Sequence, residues 1–389
     1  MQTATEKLKL SEISPRIMQS EIRAMTVECD RVGGVNLAQG VCDTELPPQV
    51  QEAAIRAIRD GFNIYTRLDG IAPLRNAIAR KFAHYNRIDA DPDAELLVTS
   101  GATGALHATV MALLNPGDEV LLFEPLYGYH VNTLLSMRVR PVAVPLAMHT
   151  WEIDFDRLEA AVTPNTRAMV LNTPINPCGK VFTRAEMERL AAFATRHDLF
   201  VITDEIYEYF LFDGAKHVSM GSLPGMAERT ITISGLSKTF SITGWRIGYL
   251  RADRRWLGSI AYFHDLTFVC SPSPFQYGAA AGLVELDDTF YAGLSTEYEK
   301  KRDLLCGALR DAGLTPLVPT GAYYVLADVS SIPGATAKEK ARTLLAKTGI
   351  AAVAGTAFFT GGRGEDLLRF CFAKKQPDLE RACAALRSL

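Results

Sequence analysis

Much of what would assign this sequence to a function class at sight is missing from it. The seven cysteines, Cys29, Cys42, Cys178, Cys270, Cys306, Cys371 and Cys383, are odd in number, scattered and never in a Cys-x-x-Cys pair. That argues against both a disulfide framework and a zinc knuckle and suits a reducing compartment. The seven histidines, His84, His107, His130, His149, His197, His217 and His264, form no His-x-x-x-His or similar ligand pair, so they read as structural or surface residues and no metal is expected. No run of five or six like charges occurs, and 41 basic residues nearly cancel 44 acidic ones, which leaves no electrostatic footprint for nucleic acid or a membrane surface. Nothing approaches the roughly 18 consecutive apolar residues of a membrane span. Met1 to Leu10 has no apolar core either, so a cytoplasmic location is expected. There is no Gly-x-Ser-x-Gly elbow and no Gly-x-x-x-x-Gly-Lys-Ser/Thr loop, which disfavours a serine hydrolase and a nucleoside triphosphatase. Internal repeats and low-complexity linkers are absent too.

The 389 residues that remain to be explained are 48% hydrophobic and 22% charged, a globular composition with length for two domains. From about residue 50 to 285, short apolar runs alternate with longer helical patterns, as in a mostly parallel sheet with helices on both faces. Seven strands are predicted: Leu96 to Thr99, Val120 to Phe123, Val139 to Val144, Ala168 to Leu171, Phe200 to Thr203, Arg229 to Ile233 and Ile247 to Leu250. Several end in polar or glycine-rich turns, and ligands of open α/β sheets sit outside the carboxyl ends of strands, so these turns should line one crevice. After about residue 290 come a charged helix, Tyr298 to Asp311, and short strand-like pieces, Ala322 to Ala327 and Leu367 to Phe372. The expected fold class is α/β: a large domain over residues 48–288 and a smaller α+β domain over residues 1–47 and 289–389, closing around a shared cleft.

Six stretches carry chemistry. Ser234-Gly235-Leu236-Ser237-Lys238 follows a buried strand, and Arg246 comes eight residues after the lysine, so an amine and a fixed cation can share one cleft. Asp204-Glu205-Ile206-Tyr207 ends another apolar strand; alone, its aspartate could be only a helix cap. Asn172-Thr173-Pro174-Ile175-Asn176-Pro177 could be only a turn. Ser100-Gly101-Ala102-Thr103-Gly104 opens the apolar helix Ala105 to Leu114, and free N–H groups at a helix start make an anion site. Tyr127 follows a strand in Glu124-Pro125-Leu126-Tyr127. Finally, Arg369 interrupts the apolar strand Leu367 to Phe372, and a buried guanidinium needs an anionic partner.

In order and spacing, over roughly residues 30 to 375, these motifs resemble the class I and II, fold-type I aminotransferases, most closely the branch of kynurenine and glutamine transaminases, prokaryotic-type aspartate aminotransferases and alanine aminotransferases. The resemblance implies pyridoxal 5′-phosphate held as a Schiff base on Lys238, which then moves a proton between Cα of an amino acid and C4′ of the cofactor. It implies that Asp204 keeps the pyridine nitrogen protonated and that Tyr207 and Asn176 bond the phenolic oxygen. Ala102, Thr103 and Arg246 would hold the phosphate, and Tyr127 would lie flat against the ring. Tyr65 resembles the tyrosine that reaches the phosphate of a partner subunit, which makes a homodimer with interface active sites the expected assembly. Arg369, with the backbone at Gly40 and with Asn176, would grip the substrate's α-carboxylate.

Departures from the family pattern fall at Thr173, at Gly235 where many relatives carry serine, at Gly40-Val41-Cys42-Asp43, and at Ala354-Gly355. The side-chain pocket is expected to draw on Val41, Cys42, Tyr129, Tyr323 and Phe358, with no cation for a distal carboxylate. The expected reaction moves an amino group from a neutral or aromatic α-amino acid to a 2-oxo acid. β-Elimination, cyclisation and amino-acid oxidation start with the same Cα proton loss and stay open at this point. A non-catalytic binding module of the same fold is the other alternative, although no basic N-terminal helix-turn-helix accompanies it.

Overall fold

A computed structural model describes residues 8–17 and 21–389; residues 1–7 and 18–20 of the segment expected to join the smaller domain lie outside the described residues. All seven apolar runs form strands of one sheet. After the two-residue β1 (Val35–Asn36) come β2 (Leu96–Ser100), β3 (Glu119–Glu124), β4 (Arg140–Pro145), β5 (Thr166–Asn172), β6 (Phe200–Asp204), β7 (Thr230–Gly235) and β8 (Ile247–Arg251), with spatial order β2-β8-β7-β6-β5-β3-β4. These strands read as near-continuous apolar runs because both faces of a parallel sheet are covered by helices. β8 alone runs against its neighbours β7 and β2. Residues 236–246 join β7 to β8 without the crossover helix that a parallel return needs. Antiparallel β8 therefore begins on the edge where the other strands finish, and Arg246, just before it, joins Ser100, Asn172, Asp204 and Gly235 there.

The second sheet contains β9 (Thr315–Leu317), β10 (Tyr324–Asp328), β12 (Val353–Ala354) and β13 (Leu367–Cys371) in the order β12-β13-β10-β9, all antiparallel, while β11 (Ile350–Ala351) pairs in parallel with β1. Through that pairing the N-terminal segment joins the later part of the chain: Cys29, Leu37 and Cys42 share a core with Tyr298, Leu305, Leu344 and Phe370. The same core takes in Tyr207 and Phe210 from the turn after β6, so apolar packing is continuous between the two sheets. Among the described residues, no helix is long and apolar enough to cross a membrane.

Two helices start earlier than the sequence pattern suggests. The charged helix runs from Asp288 to Asp311, ten residues ahead of Tyr298, because Asp287 caps it, accepting from Thr289 N at 3.0 Å and Phe290 N at 3.3 Å. The apolar helix runs from Gly101 to Leu113, so Gly101 to Gly104 are its first turn and not a loop before it. Gly101 has φ +72°, a region open to glycine, and turns the chain from β2 straight into the helix.

That junction is braced from the helix Arg254–Phe268, whose buried His264 accepts at Nε2 from Ser100 N at 2.9 Å. Burial drags the His264 pKa from 6.5 down to about 4. A lowered folded-state pKa means that the unfolded chain binds the proton first, so this histidine costs stability as pH falls below 6.5, and the loss is complete near 4. Thermal melts of wild type and His264→Gln across that window should converge as pH falls, and parallel curves would contradict a neutral buried His264.

Candidate active site

The register of the central strands sets the site. Asn172 of β5 lies opposite Asp204 of β6, and Asp204 lies opposite Ile233 of β7. Past the end of β5, Asn172 Nδ2 donates to the Asp204 carbonyl at 3.0 Å and Asn172 Oδ1 accepts from Asn176 N at 2.7 Å. The Asn-Pro loop is thereby folded back, with Asn176 buried at the rim of a cleft of about 800 Å³. Asn176, Asp204, Tyr207 and Lys238 line this cleft, and so do Ala102, Thr103, Tyr127 and Arg246.

Lys238 Nζ donates to the Gly40 carbonyl at 2.9 Å and stands 5.7 Å from the Tyr323 ring centre. Burial holds its amine below the ordinary lysine range, and the Arg246 cation pulls the same way. Asp204 Oδ2 lies 2.9 Å from His130 Nε2, a contact that the reading of the histidines as structural or surface residues missed. His130 is 5% exposed, lines the cleft and meets Tyr127 edge-on at 5.1 Å. Its partner is 74 residues away, so no local spacing signals the pair. Tyr207 Oη lies 3.0 Å from Tyr324 Oη, and burial drives the Tyr207 hydroxyl well above the ordinary phenol range, which keeps it a neutral donor. Tyr324 is a second omission: the sequence reading named its neighbour Tyr323, which instead donates to the Gly40 carbonyl at 3.2 Å. Tyr324 also explains the glycine at position 40, since any side chain there would collide with its hydroxyl.

At the other end of the cleft the helix start Gly101–Gly104 meets Arg246, whose guanidinium packs against Gly101 and donates to the Thr243 carbonyl at 3.0 Å. Three backbones crowd together here. A Cβ on Gly248 would stand 2.5 Å from Ala102 N, and one on Gly235 would stand 3.0 Å from Ile206 Cδ1 and 3.1 Å from the Gly248 Cα. A side chain at 235 would thus need its neighbours to give by a few tenths of an ångström. Ala102 and Thr103 of a helix start line the cleft together with Arg246, the chemistry of an anion site.

Arg369, 1% exposed, donates from Nη1 to Asn176 Oδ1 at 3.0 Å and from Nη2 to the Ala38 carbonyl. Both acceptors are neutral. Nε has no partner, and the guanidinium lies 4.3 Å from the Tyr324 ring centre and 4.8 Å from that of Phe358. A buried cation with only neutral partners is suited to an arriving anion. Tyr65 is 79% exposed and does not line the cleft of its own chain.

Comparison with known proteins agrees with this geometry. Residues 32–386 match the family described as aminotransferase class I and II. The chain is 34% identical over 380 residues to Aromatic-amino-acid aminotransferase 2 of Thermococcus litoralis, with 96% of each chain covered. It is 33% identical to a kynurenine–oxoglutarate transaminase of Dictyostelium discoideum, with 90% of each covered. The solved structure of an N-succinyldiaminopimelate aminotransferase from Mycobacterium tuberculosis superposes with a TM-score of 0.93 at 36% identity, covering 98% of this chain and 99% of that one.

The crowding at the anion end is testable. Gly248→Ala forces β8 away from the helix start and should lower stability by about 1–3 kcal/mol in denaturant unfolding. A variant as stable as wild type would show that strand and helix do not approach so closely.

Proposed function

The chain belongs to the class I and II aminotransferases, pyridoxal-phosphate-dependent enzymes of fold type I, and from that premise we propose that Lys238 carries the cofactor as a Schiff base and that a neutral or aromatic α-amino acid is the amino donor. The observation that carries this reading is the meeting of Lys238, Asp204, Tyr207, Asn176 and the Gly101–Gly104 helix start in one cleft. The donor set suits the cofactor: one amine, one carboxylate, hydroxyl and amide groups between them, and an anion site at the far end. When bound, pyridoxal phosphate supplies an electron sink that makes the Cα proton of an amino acid removable.

Each residue then has a task. Lys238, its amine lowered by burial, would take the proton from Cα and return it at C4′ of the cofactor. Asp204, which His130 contacts at 2.9 Å, would hold its carboxylate to the ring nitrogen and keep that nitrogen protonated. Tyr207 and Asn176 would bond the phenolic oxygen, and Tyr127 would cover one ring face. Ala102 and Thr103 offer backbone N–H groups to the phosphate, with Arg246 beside them. Arg369, its Nε free, holds the α-carboxylate together with Asn176 and the Gly40 backbone.

The donor class follows from what the cleft offers to a side chain. Among the described residues its lysine and arginine lining consists of Lys238 and Arg246, both already engaged, which supports a donor without a distal carboxylate. Tyr129, 44% exposed, stacks on Tyr127 at 5.4 Å and extends an aromatic ledge towards solvent. Relatives named for aromatic amino acids, for kynurenine and for N-succinyldiaminopimelate are almost equally similar to this chain, so identity alone does not choose among them.

The assembly proposed is a homodimer. Exposed Ile64, Tyr65 and Leu68 lie on one segment and exposed Tyr262, Leu266 and Phe268 on another. Gln276 ties the two regions together by donating to Thr66 Oγ1 at 3.3 Å and to the Ser271 carbonyl at 2.8 Å. Apolar exposure of this extent suits a subunit contact, across which Tyr65 would serve the partner's phosphate site. Residues 48–288 form the cofactor-holding unit in this reading, and residues 1–47 with 289–389 the smaller one.

Borohydride reduction of the holoenzyme followed by peptide mapping should find the cofactor on Lys238, and Lys238→Ala should lose about 10²- to 10⁴-fold in turnover. Label on another residue, or full turnover in the variant, would end this account. In a kcat/KM series, phenylalanine, tyrosine, methionine and leucine should exceed aspartate by at least about tenfold, the worth of roughly 1.4 kcal/mol in transition-state binding; a preference for aspartate would reverse the assignment of donor class.

A further inference from the structure

Asp204 and Tyr207 line the cleft, but the residue after each of them does not. Glu205 and Glu208 are 0% and 2% exposed, and their carboxylates enter a separate buried polar cluster. Glu208 Oε1 accepts from Lys81 Nζ at 2.5 Å and from Ser234 Oγ at 2.7 Å, while its Oε2 accepts from Asn86 Nδ2 at 2.8 Å. Glu205 Oε1 accepts from Thr203 Oγ1 at 2.9 Å; Oε2 lies 2.7 Å from His217 Nε2 and also accepts from Ser219 Oγ. By residue type Glu205, Glu208 and His217 could hold a metal ion. Lys81 already supplies the cation at Glu208, with the rings of Phe82, Tyr85, Tyr209 and Tyr249 at 5.1 to 5.7 Å around it, while Asn86 Oδ1 and His217 Nδ1 in the same cluster have no partner.

A buried ion pair is weak evidence for stability, because apolar residues of like volume do as well; its use is more often to fix geometry. What this one fixes is visible in the sequence positions it joins. The β6–β7 ladder closes with Asp204 opposite Ile233 and Glu205 N donating to the Ile233 carbonyl at 2.8 Å. Beyond that point the chains part, one into the turn bearing Tyr207, the other towards Lys238. Ser234, four residues before Lys238, makes the next tie between them: its Oγ donates to Oε1 of Glu208, one residue after Tyr207, at 2.7 Å, with the Glu205 carbonyl a more distant acceptor at 3.4 Å.

We propose that Glu208, anchored by Lys81, is a positioning residue for the reaction: through Ser234 it sets the strand that delivers Lys238 against the turn that delivers Asp204 and Tyr207. The tie keeps its charge. Burial alone would raise the Glu208 pKa, but Lys81 and His217 outweigh it and hold the carboxyl below the ordinary glutamate range. The groups facing it are Lys81, His217, Glu205 and the phenols of Tyr85, Tyr209 and Tyr249, whose hydroxyls are all pushed up by burial and stay neutral.

The proposal rests on the assignment of Lys238, and its test separates the two. Holoenzyme is prepared as wild type, Ser234→Ala, Glu208→Gln and the double variant Lys81→Met/Glu208→Leu, which leaves no unpaired charge behind. For each, kcat and KM are measured, with the pH midpoint of the bound cofactor's visible absorbance. Misplacement of catalytic groups by about 1 Å costs up to about 100-fold, so kcat should fall about tenfold or more in each variant that folds. KM should stay within about threefold, the sign of an interaction that matters in the transition state, and the absorbance midpoint should move. A double variant with wild-type kcat and midpoint overturns the proposal, even where its melting temperature drops or the single variants do not fold. A wild-type protein without cofactor absorbance overturns the Lys238 assignment itself.

Discussion

Three parallel strands ending in step are the constraint on which the site depends. β5, β6 and β7 run side by side with Asn172, Asp204 and Ile233 in register, so groups from three distant stretches of sequence reach one edge together. Side chains alternate between faces with a period of two. A slip of one residue in β6 would turn Asp204 away and present Glu205, whose present partners Thr203, Ser219 and His217 would be abandoned. The turn after β6 is therefore specified from both sides, with Asp204 and Tyr207 facing the cleft while Glu205 and Glu208 face the buried network.

The same turn shows how this protein treats charge in its interior. Transfer of an ion out of water is costly unless partners replace the lost hydration. Glu208 has its partners in full, from Lys81, Ser234 and Asn86. Around the cleft the pairing is unfinished: Arg369 meets two neutral acceptors and leaves Nε free, and Lys238 has a backbone carbonyl where a carboxylate could have stood. The contrast sorts buried charges by role, since a complete set of partners holds a structure in place and an incomplete one is open to a ligand.

How much could be read from the chain depended on how local the cause was. Seven strands were legible because burial on both faces writes itself as apolar runs, and the lysine, aspartate and asparagine loops were legible because each follows such a run directly. The helix starts were not: Gly101 looks like a loop residue, and the turns before Tyr298 contain Gly293 and Ser295, which mask the helical pattern. His130 and Tyr324 escaped because each acts through a residue far along the sequence, Asp204 in one case and Tyr207 in the other. The Lys81–Glu208–Ser234 tie joins three elements, and no spacing rule relates positions 81, 208 and 234.

The groups proposed to act on the reacting atoms stand at or within four residues of strand ends: Asp204 closes β6, and Tyr207, Asn176 and Lys238 follow β6, β5 and β7 in short turns. Of the five residues expected around a substrate side chain, Tyr129 lines the cleft beside Tyr127, whereas Val41, Cys42, Tyr323 and Phe358 are not among the lining residues. Loops tolerate substitution because few tertiary contacts depend on them. Relatives of nearly equal similarity are named for different amino donors, so one framework serves more than one donor class. Two of the local departures of this chain from the family pattern lie on different kinds of element, Cys42 in the segment after β1 and Ala354 at the end of β12.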